Sequence, residues 1–130
     1  MTFSEKESSQ YSPLTLAYLG DAVFELFVRE RLVSLGSMPA KKFRTSATDY
    51  VSAHAQSGFY EKIKDTLTEE ENAVFHRGRN CGAQGNKNTD PAEYARATGL
   101  EAVFGYLWLS GNERRARELF EQMTGETSES

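Results

Sequence analysis

The chain has 130 residues, a formal net charge of −4 and a single cysteine, so it accommodates one domain of ordinary size and no internal disulfide. No run of eighteen apolar residues occurs, which excludes a membrane-spanning helix, and the polar first ten residues lack the apolar segment of a secretory signal. We therefore expect a cytoplasmic protein without a membrane partner, in which any nucleic-acid binding depends on local basic clusters rather than on net charge.

The first predicted helix follows a polar stretch over 1–11 that we expect to be flexible. Ser12 precedes Pro13, which places a capping hydroxyl just before a proline at the first helical position. Apolar residues then recur at helical spacing to about Leu32, and Gly36 is a typical stop signal. The segment LAYLGDAVFELF in this helix is apolar on both faces, which predicts a central position in the fold.

The middle of the chain predicts two further helical segments. Helical spacing of apolar residues runs from 40 to about 64, with an interruption expected at Gly58. Thr68 and Glu71 form the pattern of a capping box, and three glutamates in the first turn favour the positive end of a helix dipole. We expect this second helix to end near 76–77.

The last third of the chain predicts two more helices. Asp90 and Pro91 repeat the start signal of the first helix, and the apolar segment that follows ends at Gly111. An amphipathic helix is predicted from Asn112 to about Met123. No stretch alternates between apolar and polar residues as a half-buried strand requires, so the predicted fold class is all-α.

These elements predict one helical domain over residues 12–123. The flexible stretch 1–11 precedes it. The tail 124–130 lacks apolar residues apart from glycine, and we expect it to be disordered.

The longest predicted loop, RGRNCGAQGNKNTD at 77–90, is polar and rich in glycine and asparagine. Loops of this length are uncommon in small domains unless they have a function, although an ordinary surface connection has equal weight on composition alone. Basic and amide side chains on such a loop suit contacts with the phosphates and 2′-hydroxyl groups of RNA. The candidates for this role are Arg77, Arg79, Lys87 and Asn88.

Two acidic residues stand in apolar helical segments, Asp21 in the first helix and Glu101 in TGLEAVFGYLWL. Gly20 lies beside Asp21, and Gly99 and Gly105 flank Glu101, which favours a close crossing of the two helices. We therefore expect Asp21 to be at least partly buried and both carboxylates to face one site. Two carboxylates, with the remaining positions completed by water, suit a magnesium ion and phosphoryl-transfer chemistry.

A purely structural interpretation of these acids stays open. A buried acid more often pairs with an arginine than binds a metal, and the available partners are Arg29, Arg77, Arg79 and Arg96. Other catalytic chemistry has no pattern in this sequence. The two histidines lack the spacing of di-iron or zinc sites, and no nucleophile motif occurs.

These motifs occur together in one known family. The helix YLGDAVFELFVRERL resembles the signature helix of ribonuclease III catalytic domains, and more closely that of the Mini-III branch, which lacks a double-stranded-RNA-binding domain. The resemblance continues through VSAHAQ, RGRN, KNTD and LEAVFGYLWL, in the same order and at similar spacing, from about Ser12 to Glu121. The Gly-Asp helix alone is a weak motif, whereas the ordered set is specific.

The resemblance implies an all-helical homodimeric endoribonuclease that cleaves double-stranded RNA with Mg²⁺, for which Mn²⁺ substitutes. It implies that Asp21 and Glu101 are catalytic metal ligands and that the usual substrate is a precursor of 23S ribosomal RNA. Under this hypothesis the products carry 5′-phosphate and 3′-hydroxyl ends. Thr98 and Asn80 are candidates for orienting water or substrate.

Two positions depart from the pattern of the larger ribonuclease III enzymes, as they do in the Mini-III branch. Ala17 stands where those enzymes have a glutamate, and Thr98 stands where they have an aspartate. Fewer acidic ligands favour a magnesium ion whose coordination is completed by water. Glu25 also occupies a motif position, but a salt bridge with Arg29 explains it more simply, and we do not count it as catalytic.

Two other functions remain to be distinguished. A catalytically weak or inactive helical dimer that binds structured RNA as a ribosome assembly factor predicts the loss of at least one acid, and both Asp21 and Glu101 are present. A helical phosphohydrolase acting on small nucleotides would show His-Asp metal pairs, and none occurs in the sequence.

Overall fold

The computed structural model describes residues 3–83, 85 and 88–125, which form seven α-helices and one 3₁₀ turn and contain no β-strand. The all-α fold class is thus confirmed. Within this part of the chain, no helix combines the length and hydropathy needed to cross a membrane. In chain order the helices are α1 (Glu5–Ser9), α2 (Pro13–Val33), α3 (Ala40–Val51), α4 (Ala53–Ile63), α5 (Glu69–Arg79), α6 (Pro91–Leu109) and α7 (Glu113–Thr124), with the 3₁₀ turn at Lys64–Thr66.

The helix starts follow the capping signals of the sequence. Ser12 Oγ accepts a hydrogen bond from the Thr15 N–H at the start of α2 (3.1 Å), and the Asp90 side chain caps α6. Thr68 and Glu71 form the predicted capping box of α5, with reciprocal bonds of 2.9 and 3.1 Å. Each bond satisfies a backbone N–H that the first helical turn leaves without a partner.

The break in the middle helical segment lies at Ser52, and the prediction of Gly58 was wrong. Ser52 has an extended backbone (ψ 154°), and its hydroxyl accepts a hydrogen bond from the Ala55 N–H (3.1 Å) as the cap of α4. Gly58 lies inside α4. A serine that caps a new helix changes the chain direction, whereas one glycine inside a helix costs only about 1 kcal/mol.

The stretch before α2 differs from the predicted flexible segment. The Phe3 N–H donates to the Leu109 carbonyl oxygen at the end of α6 (2.9 Å). The Arg77 guanidinium on α5 donates to the carbonyl oxygens of Ser9 and Tyr11 (2.6 and 3.0 Å). These partners are distant in sequence, so a local pattern does not reveal that they hold this stretch.

The centre of the fold is the pair formed by α2 and α6, which share the most extensive helix contact. Phe24 of α2 lies edge-on to Phe104 of α6 and Phe120 of α7, with ring centroids 5.5 Å apart in each pair. The apolar face predicted for α7 is buried in this core. The two predicted acid-bearing helices are therefore the two central helices.

Two glycines set the close approach of α2 and α6. A Cβ atom on Gly20 would collide with the backbone carbonyl of Glu101, and one on Gly105 would collide with a carbonyl of α2. Helix α5 approaches α6 in a similar way where Gly78 lies against Gly99. The predicted close crossing is thus present, and it fixes Glu101 beside the Gly-Asp pair of α2.

We expect Gly20→Ala to lower the free energy of unfolding by about 3 kcal/mol or more, because the added methyl forces the two central helices apart. Gly58→Ala is the matched control. A Cβ there meets no atom within 4 Å, so the variant should be as stable as the wild type or up to about 1 kcal/mol more stable. Urea denaturation measures both, and a wild-type midpoint for Gly20→Ala would contradict the described crossing.

Candidate active site

The helix crossing brings Asp21 and Glu101 together, as the spacing of the glycines predicts. Asp21 directly follows Gly20, and the backbone of Glu101 packs against that glycine. The two carboxyl groups are close enough for the charge of Asp21 to act on Glu101. Two acids distant in sequence thus form one pair at the surface of the α2–α6 contact.

The two acids differ in exposure. Glu101 is half-buried, whereas Asp21 is exposed, so the expectation of a partly buried Asp21 is wrong for the single chain. The reason is that its face of α2 is uncovered: Leu14 is 52% exposed and Tyr18 is 84% exposed. Helix α2 therefore has two apolar surfaces. One is buried in the core, and the other is exposed to solvent.

The surroundings of Glu101 favour its protonated form. Burial and then the neighbouring negative charge of Asp21 raise the pKa of Glu101 to about 8. The side-chain amide of Gln56 acts in the opposite direction and stabilises the ionised carboxylate. At neutral pH the pair therefore holds a proton unless another positive charge replaces it.

The arginines considered as structural partners bind elsewhere, and within the described residues no salt bridge joins an arginine to either acid. Glu71 shows the contrasting case, because this buried carboxylate accepts two bonds from Arg115 (2.9 and 3.0 Å). The partners of the four candidates are Glu25 for Arg29 (2.7 Å), Ser57 for Arg96 (2.6 Å), Asn80 for Arg79 (3.2 Å), and the carbonyls of Ser9 and Tyr11 for Arg77.

Gln56 is the residue that sequence reasoning missed, although it stands in the quoted motif VSAHAQ. It is 1% exposed and lies on α4 beside the Glu101 carboxyl group. Gln56, Tyr60 and Ile63 are all buried at helical spacing along α4. This spacing marks the core face of α4. An amide residue on that face was the sequence signal for a buried polar group.

The residues predicted to orient water or substrate have separate positions. Thr98 is 4% exposed, and its hydroxyl donates to the Tyr94 carbonyl one turn earlier in α6 (3.0 Å). Asn80 is exposed at the end of α5, where its side-chain oxygen accepts a bond from Arg79. The hydrogen bonds of Thr98 and Asn80 therefore join them to neighbouring residues and not to the acid pair.

The predicted basic loop begins later than expected, because α5 continues to Arg79. Arg77 is held by the N-terminal stretch and Arg79 is exposed on the last turn of α5. Asn88 is exposed in the loop, and Lys87 lies outside the described residues. The last turn of a helix favours basic residues, which explains why the helix extends through this stretch.

Carboxylate oxygens are the donors that a cation would meet at this site. Among the described residues, no group of three or more His, Cys, Asp or Glu side chains could hold a metal ion. The donor set at the crossing is one exposed carboxyl group, one half-buried carboxyl group and the neighbouring amide of Gln56. Such oxygen donors suit a hard divalent cation that keeps part of its water shell.

The ribonuclease III domain family matches residues 14–112, a range that includes both acids and the whole helix crossing. The chain belongs to the ribonuclease III family. The resemblance seen in the motifs is confirmed, and the chain is an endoribonuclease of this family.

Other members of the ribonuclease III family match nearly the whole chain. A Mini-ribonuclease 3 from Symbiobacterium thermophilum is 47% identical over 110 residues, which cover 84% of this chain and 85% of the relative. A Mini-ribonuclease 3 from Enterococcus faecalis is 39% identical over 130 residues, with 95% and 98% covered. A crystal structure of a protein from Fusobacterium nucleatum superposes with a TM-score of 0.81 at 31% identity and covers 91% of this chain and 96% of that one.

Proposed function

We propose that this ribonuclease III chain cleaves double-stranded RNA with a magnesium ion held by Asp21 and Glu101. The contact between the two carboxyl groups carries the proposal, because no cationic side chain among the described residues forms a salt bridge with them. A divalent cation between two acids removes their repulsion and takes the place of the proton on Glu101. Mn²⁺ prefers similar oxygen ligands and substitutes for Mg²⁺.

The site's own residues then have distinct tasks. A bound magnesium ion supplies an activated water and positive charge at the phosphate. Asp21 is open to solvent, so an RNA backbone can approach it, whereas Glu101 is fixed by the packing of α6 against Gly20. The water oxygen bonds to phosphorus and gives up a proton to solvent, the bond from phosphorus to the 3′ oxygen breaks, and that oxygen takes up a proton. The products carry 5′-phosphate and 3′-hydroxyl ends.

We also propose that the enzyme is a homodimer formed through the open face of α2. Leu14, Tyr18 and Leu26 are 52%, 84% and 43% exposed and lie on the helix that carries Asp21. Large exposed apolar side chains on one helix are typical of an interaction surface. A dimer would place two acid pairs on one duplex, one for each strand. Sedimentation equilibrium tests the dimer, and a monomer at micromolar concentration would contradict it.

Contacts with the RNA backbone are proposed for the end of α5 and the following loop. Arg79 and Asn88 are exposed there, and Lys87 remains a candidate from the sequence. Arg77 is a weaker candidate because two backbone carbonyls already accept bonds from its guanidinium. Thr98 and Asn80 remain proposals for orienting water or substrate.

We expect Arg79→Ala to weaken duplex RNA binding and to reduce the salt dependence of that binding by about one unit of slope, the effect of losing one phosphate contact. Arg114→Ala, an exposed arginine on α7, is the matched control and should bind as the wild type does. Fluorescence anisotropy in chelator, where cleavage does not occur, measures the affinity across salt concentrations. Equal slopes for Arg79→Ala and the wild type would show that Arg79 does not contact an RNA phosphate.

The natural substrate that we propose is a precursor of 23S ribosomal RNA, in the cytoplasm. The match to proteins named Mini-ribonuclease 3 supports an endoribonuclease of this type, and the substrate is the one that the resemblance of the motifs implies. The test is to incubate the purified protein with a long duplex RNA and with a precursor transcript, each with magnesium or with chelator, and to map the product ends. Binding of both RNAs without any cleavage would instead favour a non-catalytic assembly factor.

A further inference from the structure

Gln56 is a buried side chain whose hydrogen-bonding groups have no partner. It is 1% exposed, and neither Nε2 nor Oε1 makes a hydrogen bond within the described residues. The only other buried side-chain atom of this kind there is Ser8 Oγ, in α1. Leaving a buried polar group unsatisfied costs about 1–3 kcal/mol, so buried amides in folded proteins nearly always have partners.

The position of Gln56 shows where its partner belongs. Helix α4 packs on α6, and the Gln56 side chain is near enough to the Glu101 carboxyl group to stabilise its ionised form. Helix α4 is anchored on both sides of Gln56, by the Ser52 cap before it and by the buried Tyr60 and Ile63 after it. The amide is therefore held at the acid pair by the fold and not by its own bonds.

We propose that Gln56 is a third, neutral group of the cation site, a proposal that rests on the proposed function. When the ion is bound, the amide nitrogen of Gln56 donates to the Glu101 carboxylate, and its amide oxygen accepts a hydrogen bond from a water of the ion that Asp21 and Glu101 hold. Magnesium keeps several waters, and these waters need acceptors on the protein. Gln56 is the buried neutral acceptor beside the two carboxylates, which explains how a site with only two acids retains its ion.

The decisive measurement is Mn²⁺ binding by titration calorimetry, without RNA. In Gln56→Met the apolar side chain of similar size removes an unpartnered amide, so the metal-free protein should unfold at the wild-type temperature or above it. Its affinity for Mn²⁺ should fall about 10- to 100-fold, the usual effect of losing a group that supports metal ligands. Ser8→Ala is the matched control, because it removes the other unpartnered polar atom and should keep wild-type affinity.

A second variant gives an independent test. Gln56→Glu keeps an oxygen acceptor and adds a negative charge, so its affinity for Mn²⁺ should be at least about tenfold tighter. Wild-type affinity in either Gln56 variant overturns the role of Gln56. If the wild type binds Mn²⁺ and Glu101→Gln does not, the cation site stands even when the Gln56 proposal fails. If the wild type itself does not bind Mn²⁺, the cation site and the role of Gln56 fail together.

Discussion

Replacing either acid of the pair by its amide should abolish cleavage of duplex RNA. Asp21→Asn and Glu101→Gln keep the size of the side chains but remove the charge that holds the divalent cation in our proposal. We expect a loss of more than about 100-fold in the cleavage rate, because neutralising a direct ligand exceeds the cost of losing a supporting partner. Both variants should fold. Asp21 is exposed, and the amide introduced in Glu101→Gln has nearly the same size as the Glu101 carboxyl group.

The measurement is a time course on long duplex RNA at saturating magnesium. Asp65→Asn and Glu118→Gln are matched controls, because they make the same chemical changes at exposed acids outside the pair and should cleave at the wild-type rate. Circular dichroism verifies that each variant is folded. Unchanged cleavage in either Asp21→Asn or Glu101→Gln would show that the carboxyl pair is not the catalytic site.

The contribution of Glu101 to the stability of the metal-free protein should fall as the pH rises from about 4.5 to about 8. The Glu101 carboxyl has an ordinary pKa of 4.5 in the unfolded chain, and burial and the charge of Asp21 raise its pKa to about 8 in the folded chain. Between these values the folded state binds more protons than the unfolded state, so raising the pH favours unfolding. The slope from this one group reaches up to about 1.4 kcal/mol per pH unit.

Urea denaturation across this pH range, in chelator, measures the effect. Glu101→Gln cannot ionise, so its curve should lack the Glu101 contribution, and the difference between the two curves isolates it. Magnesium should restore the stability of the wild type most strongly near pH 8, because metal binding requires loss of the proton. Parallel curves for the wild type and Glu101→Gln would contradict the raised pKa of Glu101.

Much of the fold follows from short-range signals. The caps at Ser12, Thr68 and Asp90 act on backbone groups within three residues, so the sequence alone predicts where α2, α5 and α6 begin. The break at Ser52 was missed because a serine inside a helical pattern has two interpretations, an ordinary helix residue or a new cap. Only the packing of α3 and α4 on different neighbours decides between them.

The candidate site was predicted in part. Two acids in apolar helices, each near a glycine, indicated a shared site. Glycine destabilises a helix, and it is typical of places where another backbone comes close. The pairing of Arg77 with the N-terminal stretch was not predictable, since its acceptors are backbone carbonyls that carry no side-chain signature. Gln56 was overlooked because a burial pattern does not say which polar atoms lack partners.

The sequence by itself determined the helical class, the capped helix starts, the family and the choice of Asp21 and Glu101 as candidate site residues. These features depend on residue types and on spacing along the chain. Only the tertiary structure decided that Asp21 is exposed, that Glu101 has a raised pKa and that Gln56 lies beside it without a partner. These properties arise from atoms brought together across α2, α4 and α6. Burial and electrostatic interaction depend on distance in space, which the order of residues does not state.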